Sequence, residues 1–108
     1  METGGARTGG PEAAATLEDV RADIDRIDRE IVRLLGERSR CVRQAARFKT
    51  DESSVRAPER VLRMAADRRA WAEDEALSPD FVEALFRAVT DHFIEHELSH
   101  WRGAGSGG

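Results

Sequence analysis

The chain has 108 residues, of which 35% are charged and only 6% are aromatic, with no tyrosine. This length allows one domain, and the composition is typical of long exposed helices rather than of a β-sandwich or barrel. The net charge of −4 argues against a broad surface for nucleic acid or for an anionic membrane, because phosphate binding needs clustered excess cations. We therefore expect neither as a partner.

The single cysteine, Cys41, excludes an internal disulfide bond and a zinc site built on several thiolates. The sequence has no apolar run of the kind found in secretory signals or membrane spans, so we expect a cytoplasmic protein. Residues 1–15 and 103–108 are rich in small residues, which predicts two flexible tails. The helical domain is then expected at residues 16–102.

The first predicted helix runs from about Leu17 to Lys49, with Thr16 as its N-terminal cap. Its apolar residues recur at alternating steps of three and four, a spacing typical of helices packed lengthwise. This apolar seam comprises Leu17, Val20, Ile24, Ile27, Ile31, Leu34, Cys41, Ala45 and Phe48. A helix of this length spans roughly 50 Å, which one small domain cannot cover. We therefore expect a homodimer, and the alternative is a helix broken at Gly36 in a monomeric bundle.

Two further helices are predicted from prolines at helix starts. The second begins at Pro58 and runs to about Glu75, and the third begins after Ser78 and should stop at Gly103. The inward residues expected in the third helix are Phe81, Val82, Leu85, Phe86, Val89, Phe93 and Trp101. The predicted fold class is all-α with three helices.

Charged residues interrupt the apolar stripes at a few positions. Arg38 occupies a seam position, and a buried guanidinium without an anion would cost on the order of several kcal/mol. Lys49 lies 11 residues further on, which returns to within about 20° of the same direction on a helix. Glu97 is a carboxylate on the apolar face of the third helix. These residues predict either an anion-binding site or a buried salt bridge between Arg38 and Glu97.

Several segments spread over residues 17–102 carry a family resemblance. Residues 20–28 (VRADIDRID), 34–38 (LLGER) and 46–49 (ARFK) resemble the first helix of the AroQ class of chorismate mutases. Residues 57–61 (APERV), 71–73 (WAE), 81–83 (FVE) and 101–102 (WR) resemble the isochorismate-pyruvate lyase branch of that class. The resemblance implies an intertwined homodimer of three-helix subunits, with active sites drawn from both chains and with no metal or cofactor.

The resemblance also implies a set of site residues. Arg38 and Lys49 would bind the substrate from one subunit, and Arg21 would enter from the other. Arg60 and Glu97 would complete the substrate-binding set. The spacing agrees with this division, because Arg21 lies 17 residues before Arg38, about 26 Å along a helix.

The implied substrate is an enolpyruvyl cyclohexadiene dicarboxylate, and the implied reaction is pericyclic, without a nucleophile or general base. Lys49, Glu97 and Arg38 are the expected catalytic residues, with Lys49 supplying the cation nearest the breaking C–O bond. Glu97 stands where many members have glutamine facing the ether oxygen, and it can donate a hydrogen bond only when protonated. Residues 50–57 would form the loop that closes over the ligand.

Two positions favour isochorismate as the substrate. Val61 and Ala57 stand where mutases of the family often have acidic residues, one of them for the C4 hydroxyl of chorismate. We therefore expect conversion of isochorismate to salicylate and pyruvate, with chorismate mutase activity. Glu97 leaves two alternatives open, a chorismate mutase proper and a 4-amino-4-deoxychorismate mutase. A third alternative is an inactive helical dimer used as an interaction module.

The third helix also contains a metal-binding pattern. His92, Glu95 and His96 fit H-x-x-E-H, the pattern of inverted zinc peptidases, and His100 adds a third histidine. Only 12 residues follow His96, too few for the further ligand and substrate cleft of such a peptidase. We therefore expect no metal site.

Overall fold

The computed structural model describes the backbone of residues 14–107 and the side chains of residues 14–99. Over this range the chain forms three long helices and one short helix, without a strand. They are α1 (Leu17–Ala46), α2 (Glu52–Arg56), α3 (Pro58–Asp74) and α4 (Pro79–Gly107). The predicted all-α class with three long helices is confirmed. No helix in the described range is long and apolar enough to cross a membrane.

The structure comprises two compact units, Met1–Arg40 and Cys41–Gly108, and α1 contains their boundary. α1 starts as predicted, because the hydroxyl of Thr16 accepts a hydrogen bond from the Asp19 N–H at 3.0 Å. The helix continues through Gly36, so the predicted alternative of a break there is wrong. A single glycine costs a helix only about 1 kcal/mol, which the good helix formers around it outweigh.

α1 ends at Ala46, three residues before the predicted end at Lys49. The Lys49 N–H instead donates to the Ala46 carbonyl at 3.2 Å, and the Phe48 N–H donates to the Ala45 carbonyl at 3.0 Å. These bonds span three residues rather than four, which tightens the chain into a turn. Lys49 therefore lies just outside the helix that was expected to carry it.

Residues 50–57, predicted as a flexible loop, contain the short helix α2. Asp51 caps α2, because its Oδ1 accepts hydrogen bonds from the Ser54 N–H at 2.7 Å and from the Ser54 hydroxyl at 2.8 Å. These bonds, the backbone one first, lower the pKa of the Asp51 carboxyl below its ordinary value. Val55 is buried and anchors the helix. The loop prediction is corrected accordingly: a cap and one apolar anchor hold a helical turn.

The turn from α2 into α3 passes through Ala57, which has a left-handed backbone with φ 42° and ψ 62°. This conformation lets the Ala57 N–H close α2 by donating to the Ser53 carbonyl at 2.8 Å. α3 then starts at Pro58, as predicted, and ends at Asp74, one residue before the predicted end. We call the segment from Ser53 to Arg60 the elbow.

α3 and α4 form a hairpin joined by residues 75–78. The Ser78 hydroxyl accepts a hydrogen bond from the Phe81 N–H at 3.2 Å, which confirms the predicted start of the last helix. A guanidinium nitrogen of Arg69 crosses the hairpin to Asp80 at 2.8 Å and Glu83 at 2.7 Å. These bonds, the one to Asp80 first, raise the pKa of Arg69 above its ordinary value.

Among the described residues of the Cys41–Gly108 unit, the buried apolar side chains are Val55, Met64, Ala72, Val82 and Leu98. Of the residues predicted to point inward from the last helix, Val82 is buried, Phe86, Val89 and Phe93 are half-buried, and Phe81 and Leu85 are exposed. One hairpin covers only one face of α4, which explains the exposed pair. The side chain of Trp101 lies outside the described residues. α4 continues to Gly107 rather than stopping at Gly103, because a glycine weakens a helix without ending it.

Candidate active site

The ammonium group of Lys49 and the carboxylate of Glu97 form an ion pair. Lys49 Nζ donates to Glu97 Oε1 at 3.2 Å, which joins the turn after α1 to the second half of α4. The side chain of Lys49 is 23% exposed and that of Glu97 is 9% exposed. Because water is largely excluded from Glu97, this contact is stronger than an ion pair on an open surface.

The second carboxylate oxygen of Glu97 lacks a hydrogen bond. Oε2 is enclosed, and it has no hydrogen-bond partner among the described residues. A buried acceptor in this state costs about 1–3 kcal/mol. Glu97 neighbours Leu98, which is fully buried, and this core residue fixes the turn of α4 that carries the carboxylate. The carboxylate is therefore held in place by the core, and Oε2 has an unused acceptor position.

The two arginines predicted on α1 belong to the Met1–Arg40 unit. Arg38 is half-buried, and its Nη1 atom is inaccessible to solvent, as its place in the apolar seam predicts. Arg21 is exposed. Within the Cys41–Gly108 unit, the structure brings Lys49 and Glu97 together.

Arg60 lies in a groove at the elbow, which neither Lys49 nor Glu97 lines. The groove has a volume of about 460 Å³ and is lined by residues that include Asp51, Ser53, Ser54, Glu59, Arg60 and Arg63. Sequence reasoning missed Arg63, although its position three residues after Arg60 places both side chains on one side of α3.

Val61 lines a second groove, of about 710 Å³, between the start of α3 and the middle of α4. Pro58, Leu62 and Ile94 make its apolar wall, together with Val61. The groove is also lined by the charged residues Arg56, Asp91 and Glu95. Val61 is thus part of an apolar wall, and the acidic groups of this groove come from α4 rather than from α3.

The histidines of the H-x-x-E-H pattern are exposed on α4. The rings of His92 and His96 stack with their centroids 6.4 Å apart, and His92 also meets Phe93 edge-on. Across the described side chains, no group of three or more His, Cys, Asp or Glu residues is arranged to hold a metal ion. The side chain of His100 lies outside the described residues.

Comparisons with known proteins agree with the resemblance. The family model for chorismate mutase type II matches residues 20–98. The chain is 44% identical over 92 residues to the isochorismate pyruvate lyase of Pseudomonas aeruginosa, covering 85% of this chain and 91% of that protein. It is 36% identical over 72 residues to the T-protein of Haemophilus influenzae, covering 66% of this chain and 19% of that protein. A family match of this extent, together with the first of these relatives, shows that the chain belongs to the chorismate mutase type II family and is an enzyme of that family.

Proposed function

We propose that the enzyme converts isochorismate to salicylate and pyruvate and also carries chorismate mutase activity. The observation that carries this proposal is the partly buried pair of Lys49 and Glu97, which sets an ammonium donor beside an enclosed carboxylate. The identity to a protein named isochorismate pyruvate lyase supports the choice of substrate. The apolar residues Ala57 and Val61, where many mutases have acidic residues, support it as well.

The proposed reaction needs no external reactant. The C–O bond between the ring and the enolpyruvyl ether oxygen breaks, and a ring hydrogen moves to the methylene carbon of the enolpyruvyl arm. The arm leaves as pyruvate, and the ring becomes aromatic as salicylate. Negative charge develops on the ether oxygen as the bond breaks, so a fixed cation at that atom lowers the barrier. Lys49 fits this task, because two ammonium protons remain available beside the contact with Glu97.

Glu97 acts as the second donor to the ether oxygen in this proposal. An ionised carboxylate can only accept hydrogen bonds and would repel the developing charge, so the productive form is protonated. The enclosed Oε2, which has no partner in the described part of the chain, is the atom that would carry the proton. Binding of the substrate therefore replaces the contact of Lys49 with Glu97 by contacts of both groups with the ligand.

The carboxylates of the substrate need fixed cations, which arginine supplies in a forked geometry. We propose that Arg38 and Arg60 fill this role in the subunit that carries Lys49. Arg21 enters from a second subunit, because about 26 Å of helix separates it from Arg38. Holding both carboxylates keeps the enolpyruvyl arm over the ring, which removes much of the entropic barrier.

A homodimer is the assembly that this site requires, and the surface of α1 supports it. The seam residues Leu17, Ile24, Ile31 and Leu34 are between 46% and 61% exposed in the single chain. Cys41, which the seam places among them, is exposed too. A long row of exposed apolar side chains is rare on a monomer and is typical of an interface. We also propose a cytoplasmic location, which suits a single unpaired cysteine.

Parallel incubation with isochorismate and with chorismate tests the proposal. We expect salicylate and pyruvate in equal amounts from isochorismate, and slower formation of prephenate from chorismate. Turnover of chorismate alone would replace the proposal with a chorismate mutase, and turnover of neither would contradict it. The Lys49→Ala chain is the control for uncatalysed conversion of either substrate.

A further inference from the structure

Two arginines line the groove at the elbow without an ion pair. Arg60 and Arg63 are both exposed, and neither makes an ion pair with a described residue. Other arginines of the same unit are paired: Arg56 lies 3.9 Å from Glu52, and Arg69 contacts two carboxylates. Two guanidinium groups without an ion pair to a described residue therefore line this groove, together with the carboxylates of Asp51 and Glu59.

The two acidic residues that line the groove, Asp51 and Glu59, differ in their relation to the two arginines. Asp51 is held in place as the cap of α2, because its Oδ1 accepts both hydrogen bonds from Ser54, and it keeps its negative charge. Glu59 also lines the groove and lies four residues before Arg63, on the adjacent turn of α3. Glu59 is thus the lining carboxylate best placed along α3 to compete with an incoming anion for Arg63.

The geometry suits a small carboxylate ligand. Residues three apart on a helix are neighbours, with about 5–6 Å between their β-carbons, so two guanidinium groups can hold the two carboxylates of one small molecule. The groove is open to solvent, and its volume of about 460 Å³ can admit a small dicarboxylate. The hydroxyl group of Ser53 adds a further hydrogen-bond donor to the lining.

We propose that Arg63, together with Arg60, forms a carboxylate-capture site at the elbow through which the dicarboxylate substrate reaches Lys49. The site is close to Lys49 along the chain, because Asp51, two residues after Lys49, lines the groove. The role of Arg63 in substrate capture rests on the proposed function, whereas the binding of a carboxylate in this groove does not depend on that function. Arg63 contributes to the rate of arrival and has no part in the chemical step.

Kinetics with isochorismate tests the capture role. Removing one cation from the entry path slows the encounter with a dianion, so Arg63→Ala should lower kcat/KM by roughly three- to tenfold at low ionic strength while leaving kcat unchanged. Glu59→Gln should raise kcat/KM, because it removes the competing carboxylate. Both effects should shrink in about 0.5 M salt, where the screening length is only a few ångströms.

Arg29→Ala is the matched control. Arg29 is an exposed arginine on α1, and its removal changes the net charge by the same amount at a different place. We expect Arg29→Ala to retain the wild-type kcat/KM. If Arg63→Ala behaves like Arg29→Ala, the capture role is wrong while the proposed function stands.

Binding of malonate tests the anion site without any turnover. In the full chain, malonate should shift the backbone amide resonances of residues 53–63, and sodium chloride at the same ionic strength should not. The shifts should be weaker in Arg63→Ala and stronger in Glu59→Gln. Equal shifts in all three proteins would overturn the site. A protein that binds malonate here yet converts neither isochorismate nor chorismate would retain the site and lose the proposed function.

Discussion

Lys49 Nζ and Glu97 Oε1 lie 3.2 Å apart, although 48 positions separate the two residues in the sequence. The contact joins the turn after α1 to the second half of α4. It places the two groups that we propose as donors to the ether oxygen next to each other. Lys49 belongs to a turn and Glu97 to a helix. A substitution at either residue therefore leaves the backbone element of the other residue unchanged.

Replacing Lys49 should impair turnover more than binding. The ammonium interacts most strongly with the ether oxygen when that atom becomes negative, so Lys49→Ala should lower kcat by two orders of magnitude or more. Lys49→Arg keeps the charge and should recover part of the loss. Steady-state kinetics with isochorismate measures both. A Lys49→Ala enzyme with unchanged kcat and a raised KM would contradict this role.

Replacing Glu97 by glutamine should raise kcat at neutral pH. Glutamine donates a hydrogen bond at any pH, whereas Glu97 must first take up a proton. Glu97→Ala, which has no donor, is the control and should lose activity. A Glu97→Gln enzyme with a kcat no higher than that of the wild type would argue against a donating Glu97.

Mixed dimers should regain activity from two inactive parents. Arg21→Ala and Lys49→Ala each damage both sites of their own homodimer, but a dimer with one chain of each kind retains one intact site. After unfolding and refolding of an equal mixture, roughly a quarter of the wild-type activity is expected if chains pair at random. Activity that stays at the level of the parents would contradict a site shared between subunits, as would a monomer in sedimentation at micromolar concentration.

The cap of α2 should weaken in acid. The pKa of Asp51 is lowered in the folded chain by its hydrogen bonds to Ser54, so the stabilisation is fully present above the ordinary carboxyl pKa. It is lost as the pH falls through the lower folded value. The Ser54 amide resonance should report this titration, and amide exchange at Val55 should accelerate in Asp51→Ala at neutral pH. Asp51→Asn, which still accepts hydrogen bonds, should exchange like the wild type above that range.

Local signals predicted most of the fold. The Thr16 and Ser78 caps and the start at Pro58 depend on residues within one turn, so the sequence shows them directly. The helix α2 was missed because a five-residue helix has no apolar period, although Asp51 and Ser54 have the spacing of a cap. The end of the last helix that was predicted at Gly103 was wrong, because the helix continues through this glycine.

The candidate site was less predictable, for a physical reason. The spacing between Arg38 and Lys49 identified Lys49 as a candidate site residue. Its ion pair with Glu97, however, depends on how α4 packs within its unit. The sequence offered a buried salt bridge between Arg38 and Glu97 as one of two alternatives, and the structure shows a contact of Glu97 with Lys49. The unpaired state of Arg63 depends likewise on where Glu59 and Asp51 point, which periodicity does not describe.

α1 continues through Gly36 without a break. A substitution at this glycine can therefore measure how closely a second copy of α1 approaches. A β-carbon built at Gly36 would meet, among the described residues, only Arg40 Nη1, at an ordinary 3.7 Å. Alanine would therefore fit within the chain itself and favour the helix by about 0.5–1 kcal/mol. If two copies of α1 cross closely at this point, the added methyl group separates them. Gly36→Ala would then stabilise the helix within one chain and destabilise the dimer. The difference between these two free-energy changes reports how closely the two helices approach each other.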